Sequence, residues 1–369
     1  MGRESVDAKT LREWLARGEE VTVVDVRRAE DHAEWSVPGS VNLDAYDRLK
    51  AGDPGAMEGL DVPGDRPVVT VCGAGRSSAV AAEQLRKQGY DALTLEGGMK
   101  AWGLAWNTAD VPAGGGEVEV IQVRRTGKGC LSYLVGSGGE AAVIDASVDP
   151  EVYLDLAEGR DLTITRVLDT HVHADHISRS RRLAQVTGGT LHMPEGAPVS
   201  YPFSSLEDGD ALKVGLATVD AIWTPGHTPE STSYLLDRRA IFTGDTLFLS
   251  AVGRPDLDAT PEAAREKAHE LYCSLERLLA LGPGTLVLPG HTSKPVAFDG
   301  EPIGAPLSEV REGVWGLTED EGSFVEKVVG RVTPAPENYE RIVELNRSGE
   351  RPVGDPAELE AGANRCAAG

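Results

Sequence analysis

Three histidines and one aspartate fall within six residues, in the stretch His171-Val172-His173-Ala174-Asp175-His176. Imidazole and carboxylate are the side chains that divalent first-row metals take as ligands, and this spacing offers several on one short segment. The chain has eight histidines in all. Three of them here argue against an incidental polar turn. Residues 163–169 are β-branched and apolar and predict a strand, while residues 177–186 predict a helix. The cluster therefore sits on a strand-to-helix turn, where side chains of one loop can converge on a point.

Further ligands come in order along the chain. Pro225-Gly226-His227-Thr228 follows a predicted strand at 219–223, Gly244-Asp245-Thr246 follows 240–243, and Pro289-Gly290-His291 follows 286–288. Each places a His or Asp just past an apolar run, beside a glycine that lets the backbone turn sharply. Strand ends are where α/β folds build sites. The candidate ligands are His171, His173, Asp175, His176, His227, Asp245 and His291. A binuclear zinc hydrolase can be built from such a set, with the metals lowering the pKa of a bridging water.

A second candidate site lies upstream. Cys72-Gly73-Ala74-Gly75-Arg76-Ser77-Ser78 joins a predicted strand at 67–71 to a predicted helix at 77–88. A cysteine at a strand tip, before Gly-Ala-Gly and a helix start, is surrounded by backbone N–H groups. These would stabilise a thiolate and a bound anion. Arg76 adds a fixed positive charge for a sulfur-oxygen anion. Cys72 is the candidate nucleophile. A small buried cysteine at a strand end is the bland alternative, and the Gly and Arg context weighs against it.

These motifs need two scaffolds. A chain of 369 residues is long enough for two domains. In the first segment, strands at 21–26, 67–71 and 92–95 alternate with helical periodicity, which argues for a parallel α/β layer; Ala79, Ala82 and Leu85 predict the apolar side of its helix. In the second, close strands at 117–123, 130–135 and 141–144 predict half of a ββ sandwich flanked by helices. Helices are predicted at 150–158, at 260–281 behind Thr-Pro-Glu, and at 338–347. Residues 108–116, rich in Gly and Pro, predict a flexible joint, so that the two sites could lie far apart or move relative to each other. The polar tail, residues 351–369, predicts fraying and a solvated Cys366. Cys130 and Cys273 read as packing residues.

Composition bounds the partners. The net charge is −23, so neither nucleic acid nor an anionic membrane is expected as a partner. An acidic surface with 27 Arg and nine Lys suits a high-salt cytosol, and a GC-rich genome biases composition the same way. Four scattered cysteines do not predict a disulfide framework. No apolar run predicts export or a membrane span, and the expected location is cytoplasmic. The long helix at 260–281 carries enough apolar surface to allow a homodimer.

Two family resemblances follow from these residues. The H-x-H-x-D-H motif with the later G-H-T, G-D and G-H motifs resembles the metallo-β-lactamase superfamily over about residues 117–350. Val24-Asp25-Val26-Arg27, residues 34–42, the Cys72 loop and residues 95–102 resemble a single rhodanese domain, over residues 1–107. Trp35-Ser36 stands where many members have Gly-His, away from the nucleophile. The fold implied is a rhodanese-like α/β domain followed by a metallo-β-lactamase αββα sandwich. In the rhodanese family the residue at Cys72 carries sulfane sulfur as a persulfide.

Gly253-Arg254-Pro255-Asp256 after Asp245 resembles the persulfide dioxygenase branch, in which one iron is bound. That resemblance maps a 2-His-1-carboxylate triad onto His171, His227 and Asp245, with one Fe(2+) per chain and open positions for substrate and O2. His173, Asp175, His176 and His291 would then orient ligands or organise water. Arg254 would position substrate or anchor its loop through Asp256. Leu257 departs from the family, which often has Phe there. The function implied is oxidation of a low-molecular-weight thiol persulfide, such as glutathione persulfide, to sulfite and thiol, coupled to sulfur transfer among thiosulfate, persulfide and sulfite at Cys72. The alternative is a binuclear hydrolase of thioesters with two Zn(2+) and an appended rhodanese domain.

Overall fold

The structure is a computed structural model that describes residues 4–113, 115–332, 334–362 and 364–368. The first layer is a five-stranded parallel sheet in the order Ser5–Val6, Ala92–Leu95, Val68–Val71, Thr22–Asp25 and Val41–Asn42. Its central strand, Val68–Val71, is buried at every residue, as a strand covered on both faces must be. The helix Arg76–Lys87 packs on the sheet through Ser78, Ala81, Ala82 and Leu85. Its buried stripe is rotated from the predicted one, and Ala79 is exposed. The rotation follows from Ser78, whose hydroxyl bonds Thr94 at 2.8 Å and whose carbonyl accepts from Thr70 at 2.7 Å.

Two further sheets face each other. One has seven strands, running from Ser204–Leu206 through Thr190–Pro194, Thr163–Leu168, Glu140–Ile144, Leu131–Ser137 and Val118–Arg124 to Asn107–Val111. The other has six, from Ala211–Val214 through Ala217–Trp223, Thr232–Leu236, Ala240–Gly244 and Leu286–Pro289 to Ala305–Pro306. Tyr133, Ile144, Leu168, Tyr234, Phe242 and Leu288 fill the space between them. Helices Pro150–Glu158 and Ser180–Thr187 cover one outer face through Tyr153 and Leu183. Helices Pro261–Leu279 and Glu321–Gly330 cover the other through Leu271, Leu275 and Phe324. The order of layers is helix, sheet, sheet, helix. Thr260 caps the long helix by accepting from Ala263 N, with Pro261 in its first turn, as its sequence predicts.

Two expectations fail. Residues 108–116 do not form a flexible joint: Asn107–Val111 is a strand, paired antiparallel with Val118–Arg124. Alternation explains it, since Asn107, Ala109 and Val111 point inward and the Gly-rich signal belongs to the turn beyond. Gly114 lies outside the described residues. The tail does not fray either. Pro356–Leu359 is a helix and Ala367–Ala368 pairs with Val252–Gly253. Cys366 is buried, not solvated.

The domains are joined by buried polar bonds. Arg125 Nε donates to Gly103 O at 2.7 Å, and Gly127 N donates to Ala105 O at 3.1 Å. No helix among the described residues is long and apolar enough to cross a membrane.

Candidate functional sites

The metal-type ligands converge where the two large sheets meet, at the ends of Thr163–Leu168, Ala240–Gly244 and Leu286–Pro289. His171, His227 and Asp245 form one buried group. Asp245 Oδ2 lies 3.8 Å from His171 Nε2 and 3.7 Å from His227 Nε2.

The other nitrogen of each of these histidines fixes its tautomer. His227 Nδ1 is 2.9 Å from Arg254 O. A carbonyl only accepts, so Nδ1 carries the proton and Nε2 presents a lone pair. His171 Nδ1 is 2.9 Å from Thr170 Oγ1. That hydroxyl donates its own proton to Asp145 Oδ2 at 3.0 Å, so it accepts from His171, and again Nε2 is left bare. Burial pushes both imidazoles toward the neutral form, and for His171 the neighbouring His173 adds to it. Asp245 is ionised: burial raises its carboxyl, but His291, with His171 and His227, holds it well below the usual range. His171 Nε2 and Asp245 Oδ2 are buried with no hydrogen-bond partner. Buried polar atoms are rarely left so. Two neutral imidazole nitrogens and one carboxylate oxygen on one point fit a divalent metal.

The remaining candidates are arranged differently. Asp175 Oδ1 accepts from His176 Nδ1 at 2.9 Å. Asp175 Oδ2 accepts from His291 Nε2 at 3.0 Å, Asn364 Nδ2 at 3.0 Å and Cys130 Sγ at 3.3 Å. His291 Nδ1 lies 2.5 Å from Asp245 Oδ1. His291 thus bridges two carboxylates with both ring nitrogens. Burial alone would keep it neutral, but Asp175 and Asp245 raise it well above its ordinary value. His173 lies apart, with Nε2 3.3 Å from Asp145 Oδ1 and 3.9 Å from Asp169 Oδ1. Asp145 holds this corner in a left-handed backbone conformation, φ 54°, which is rare for a residue with a side chain.

Arg254 is buried beside the centre, with its carbonyl on His227. Its guanidinium grips Asp256 with two bonds of 2.7 Å and donates to Arg365 O at 3.0 Å. It anchors its loop, and that loop's carbonyl orients His227. Of its two expected roles, these bonds match the anchoring through Asp256.

Cys72 ends the strand Val68–Val71 and is buried, at the floor of a cavity of about 700 Å³. Cys72 O accepts from Met99 N and Gly73 O from Lys100 N. The backbone N–H groups of Gly73, Ala74, Gly75, Arg76 and Ser77 have no acceptor among the described residues. That is the open cradle expected for an anion. Arg76, Lys50 and Tyr46 line the same cavity, and Arg76 has no ion-pair partner among the described residues. Gly98 makes the approach of the two loops possible: a Cβ there would lie 2.1 Å from Cys72 O, at φ +58°.

Several residues at the centre escaped the sequence reading. Cys130, taken for packing, lies against Asp175 and His176. Burial and Asp175 push its thiol up, but His176 and His291 outweigh them and lower it to about 6. Asp145 carried a signal, as an aspartate just past a strand. Asn364 and Cys366 carried none, because Asn364 meets Asp175 across 189 residues and Cys366 meets His291 and Asp245 from distant parts of the sequence.

Comparison with known proteins agrees with this architecture. The rhodanese-like domain family matches residues 7–105, and the metallo-beta-lactamase superfamily matches residues 125–291. A probable metallo-hydrolase of Burkholderia pseudomallei is 31% identical over 236 residues, which cover 52% of this chain and 79% of that protein. The chain thus belongs to the metallo-β-lactamase superfamily, with a rhodanese-like domain ahead of the metal-binding fold.

Among solved structures, ETHE1 from Myxococcus xanthus superposes with a TM-score of 0.55 at 30% identity, covering 62% of this chain and 97% of that one. A metallo-beta-lactamase from Staphylococcus aureus gives 0.59 at 27% identity, covering 64% and 74%. A hydroxyacylglutathione hydrolase of Brucella ovis is 36% identical over 155 residues, or 41% of this chain. The match spans 56% of that hydrolase's length.

Proposed function

We propose that the protein oxidises a low-molecular-weight thiol persulfide with O2 at a single iron, and transfers sulfane sulfur at Cys72. The reaction balances as R-S-SH plus O2 plus water giving R-SH, sulfite and two protons. The observation that carries this reading is the asymmetry of the ligands. His171, His227 and Asp245 present unengaged atoms to one point, while in the second group Asp175 and His291 are engaged on both sides and His176 keeps only Nε2 free. A facial triad of this composition is the ligand set of non-haem Fe(II) oxygenases. Iron(II) bound there supplies open coordination positions and the redox chemistry for O2.

The chain's own residues do the rest. Thr170 and Asp145 orient His171, Arg254 O orients His227, and His291 holds Asp245 ionised. A small cavity of about 60 Å³ adjoins His291, with Phe248, Leu249 and Ile303 in its wall. At the other site, the open amides after Cys72 and the Arg76 guanidinium receive the oxyanion of thiosulfate or sulfite.

A binuclear zinc thioester hydrolase is the second reading. It is favoured by the completeness of the seven-ligand set and by the Brucella hydrolase's name. Metal analysis of anaerobically purified protein, with O2 uptake on adding glutathione persulfide, separates the two. About one iron per chain and O2 uptake that vanishes in Asp245→Ala support the dioxygenase. About two zincs and no O2 uptake would sink it.

A further inference from the structure

The end of the chain enters the metal centre. Asn364 Nδ2 donates to Asp175 Oδ2 at 3.0 Å, and Cys366 Sγ lies within 4.8 Å of ligand atoms of Asp245 and His291. The orientation of the Asn364 amide is fixed from its other end. Its Oδ1 accepts from Cys366 N at 2.9 Å, which leaves the NH2 group facing the carboxylate.

The segment is held there at both ends. Glu360 pairs with Arg125 at 2.5 Å and with Arg179, and accepts from Ile177 N at 2.8 Å. Lys128 Nζ donates to Glu360 O at 2.9 Å. Beyond Asn364, Arg254 N donates to Cys366 O at 3.0 Å, and Ala367–Ala368 pairs with Val252–Gly253.

We propose that this segment, residues 360–362 and 364–368, holds the centre to one metal ion by occupying the second position, and that Asn364 sets the stoichiometry. The proposal rests on the single-metal reading above. Cys130, Asp175, His176 and His291 form a buried ligand group of their own, with the chemistry to take a thiophilic divalent ion. A cation there requires lone pairs. Asp175 Oδ2 already receives the His291 ring N–H and the Asn364 amide, with Cys130 Sγ 3.3 Å away. An N–H donor and a cation cannot share the same face of a carboxylate. Asn364 is a positioning residue in this account, since it acts on the metal through Asp175.

The test uses cobalt(II) as probe, on the full-length chain stripped of metal. The wild type, Asn364→Ala and Asn364→Asp are loaded with excess cobalt and desalted. Metal per chain and thiolate-to-cobalt charge-transfer absorption are then read. The wild type is expected to hold about one cobalt without a thiolate band; Asn364→Asp, which replaces the donor with a ligand, about two, with a band from Cys130. Asn364→Ala should hold an intermediate amount. Circular dichroism and a cooperative thermal melt report that each variant is folded. One cobalt in all three folded proteins would overturn the proposal and leave the single-metal reading standing. Two cobalts in the wild type would overturn both.

Discussion

Replacing Glu360 by Gln tests the latch that holds the tail. Arg125 is fully buried, and so is the Glu360 side chain that neutralises it. Gln is isosteric and still accepts from Ile177 N and Arg179, so the shape survives and the charge is lost. Removing one partner of a buried ion pair leaves the other uncompensated, which costs about 3–5 kcal/mol. Proton linkage gives a similar magnitude. Burial pushes the Glu360 carboxyl up, but Arg125 and Arg179 outweigh it and hold it at about 2, from an ordinary value of 4.5. A depressed carboxylate stabilises the fold above its unfolded pKa and loses that contribution as pH falls through the folded one. The difference corresponds to about 3 kcal/mol at neutral pH. Guanidinium unfolding of wild type and Glu360→Gln at pH 7, 4.5 and 3 should therefore show a gap of about 3 kcal/mol that narrows below pH 4.5. A gap under about 1 kcal/mol at pH 7, or one that acid does not narrow, would refute the argument.

Three further outcomes are expected. Thr170→Val removes the acceptor for His171 Nδ1–H and should weaken metal binding roughly 10–100-fold in a chelator competition, because such orienting partners have effects of that size. Gly98→Ala drives a Cβ into Cys72 O and should cut sulfur transfer from thiosulfate to cyanide by at least about tenfold, with loss of stability in the first domain. Cys72→Ser should abolish that transfer while metal content and O2 uptake with supplied glutathione persulfide stay within about twofold of wild type, since it leaves the metal ligands untouched.

The ligand motifs were legible because each occupies a short run beside a glycine at a strand end, and local chemistry fixes that pattern. The strand Ala92–Leu95 and the helix Pro150–Glu158 appear at their predicted bounds for the same reason: apolar periodicity and a proline start are local. Asn107–Val111 was hidden because its partner strand, not its own composition, makes it a strand. Cys366 was hidden because a cysteine among Ala, Gly and Asn has no periodicity to reveal burial. Its environment comes from Arg254 and Asp245, more than 110 residues upstream. Arg254 shows both sides. Its motif was visible, and so was the anchoring through Asp256 as one of two roles, while Arg365 O as a further partner comes only with the fold.

The two chemistries meet at the tail. Ala361 and Gly362 line the Cys72 cavity together with Gly127, and Asn364 touches Asp175. Gly127 and Cys130 lie on one short loop, which thus forms a wall common to the sulfur-transfer cavity and the metal centre. Arg125 ties that wall together, donating to Gly103 of the first domain and pairing with Glu360 of the tail. Perturbing one buried ion pair should therefore move both sites at once. Two independent domains on a loose joint would respond separately. Parallel loss of sulfur transfer and of metal retention in Glu360→Gln, at a temperature where the chain stays folded, is the behaviour that distinguishes a shared wall from a simple fusion.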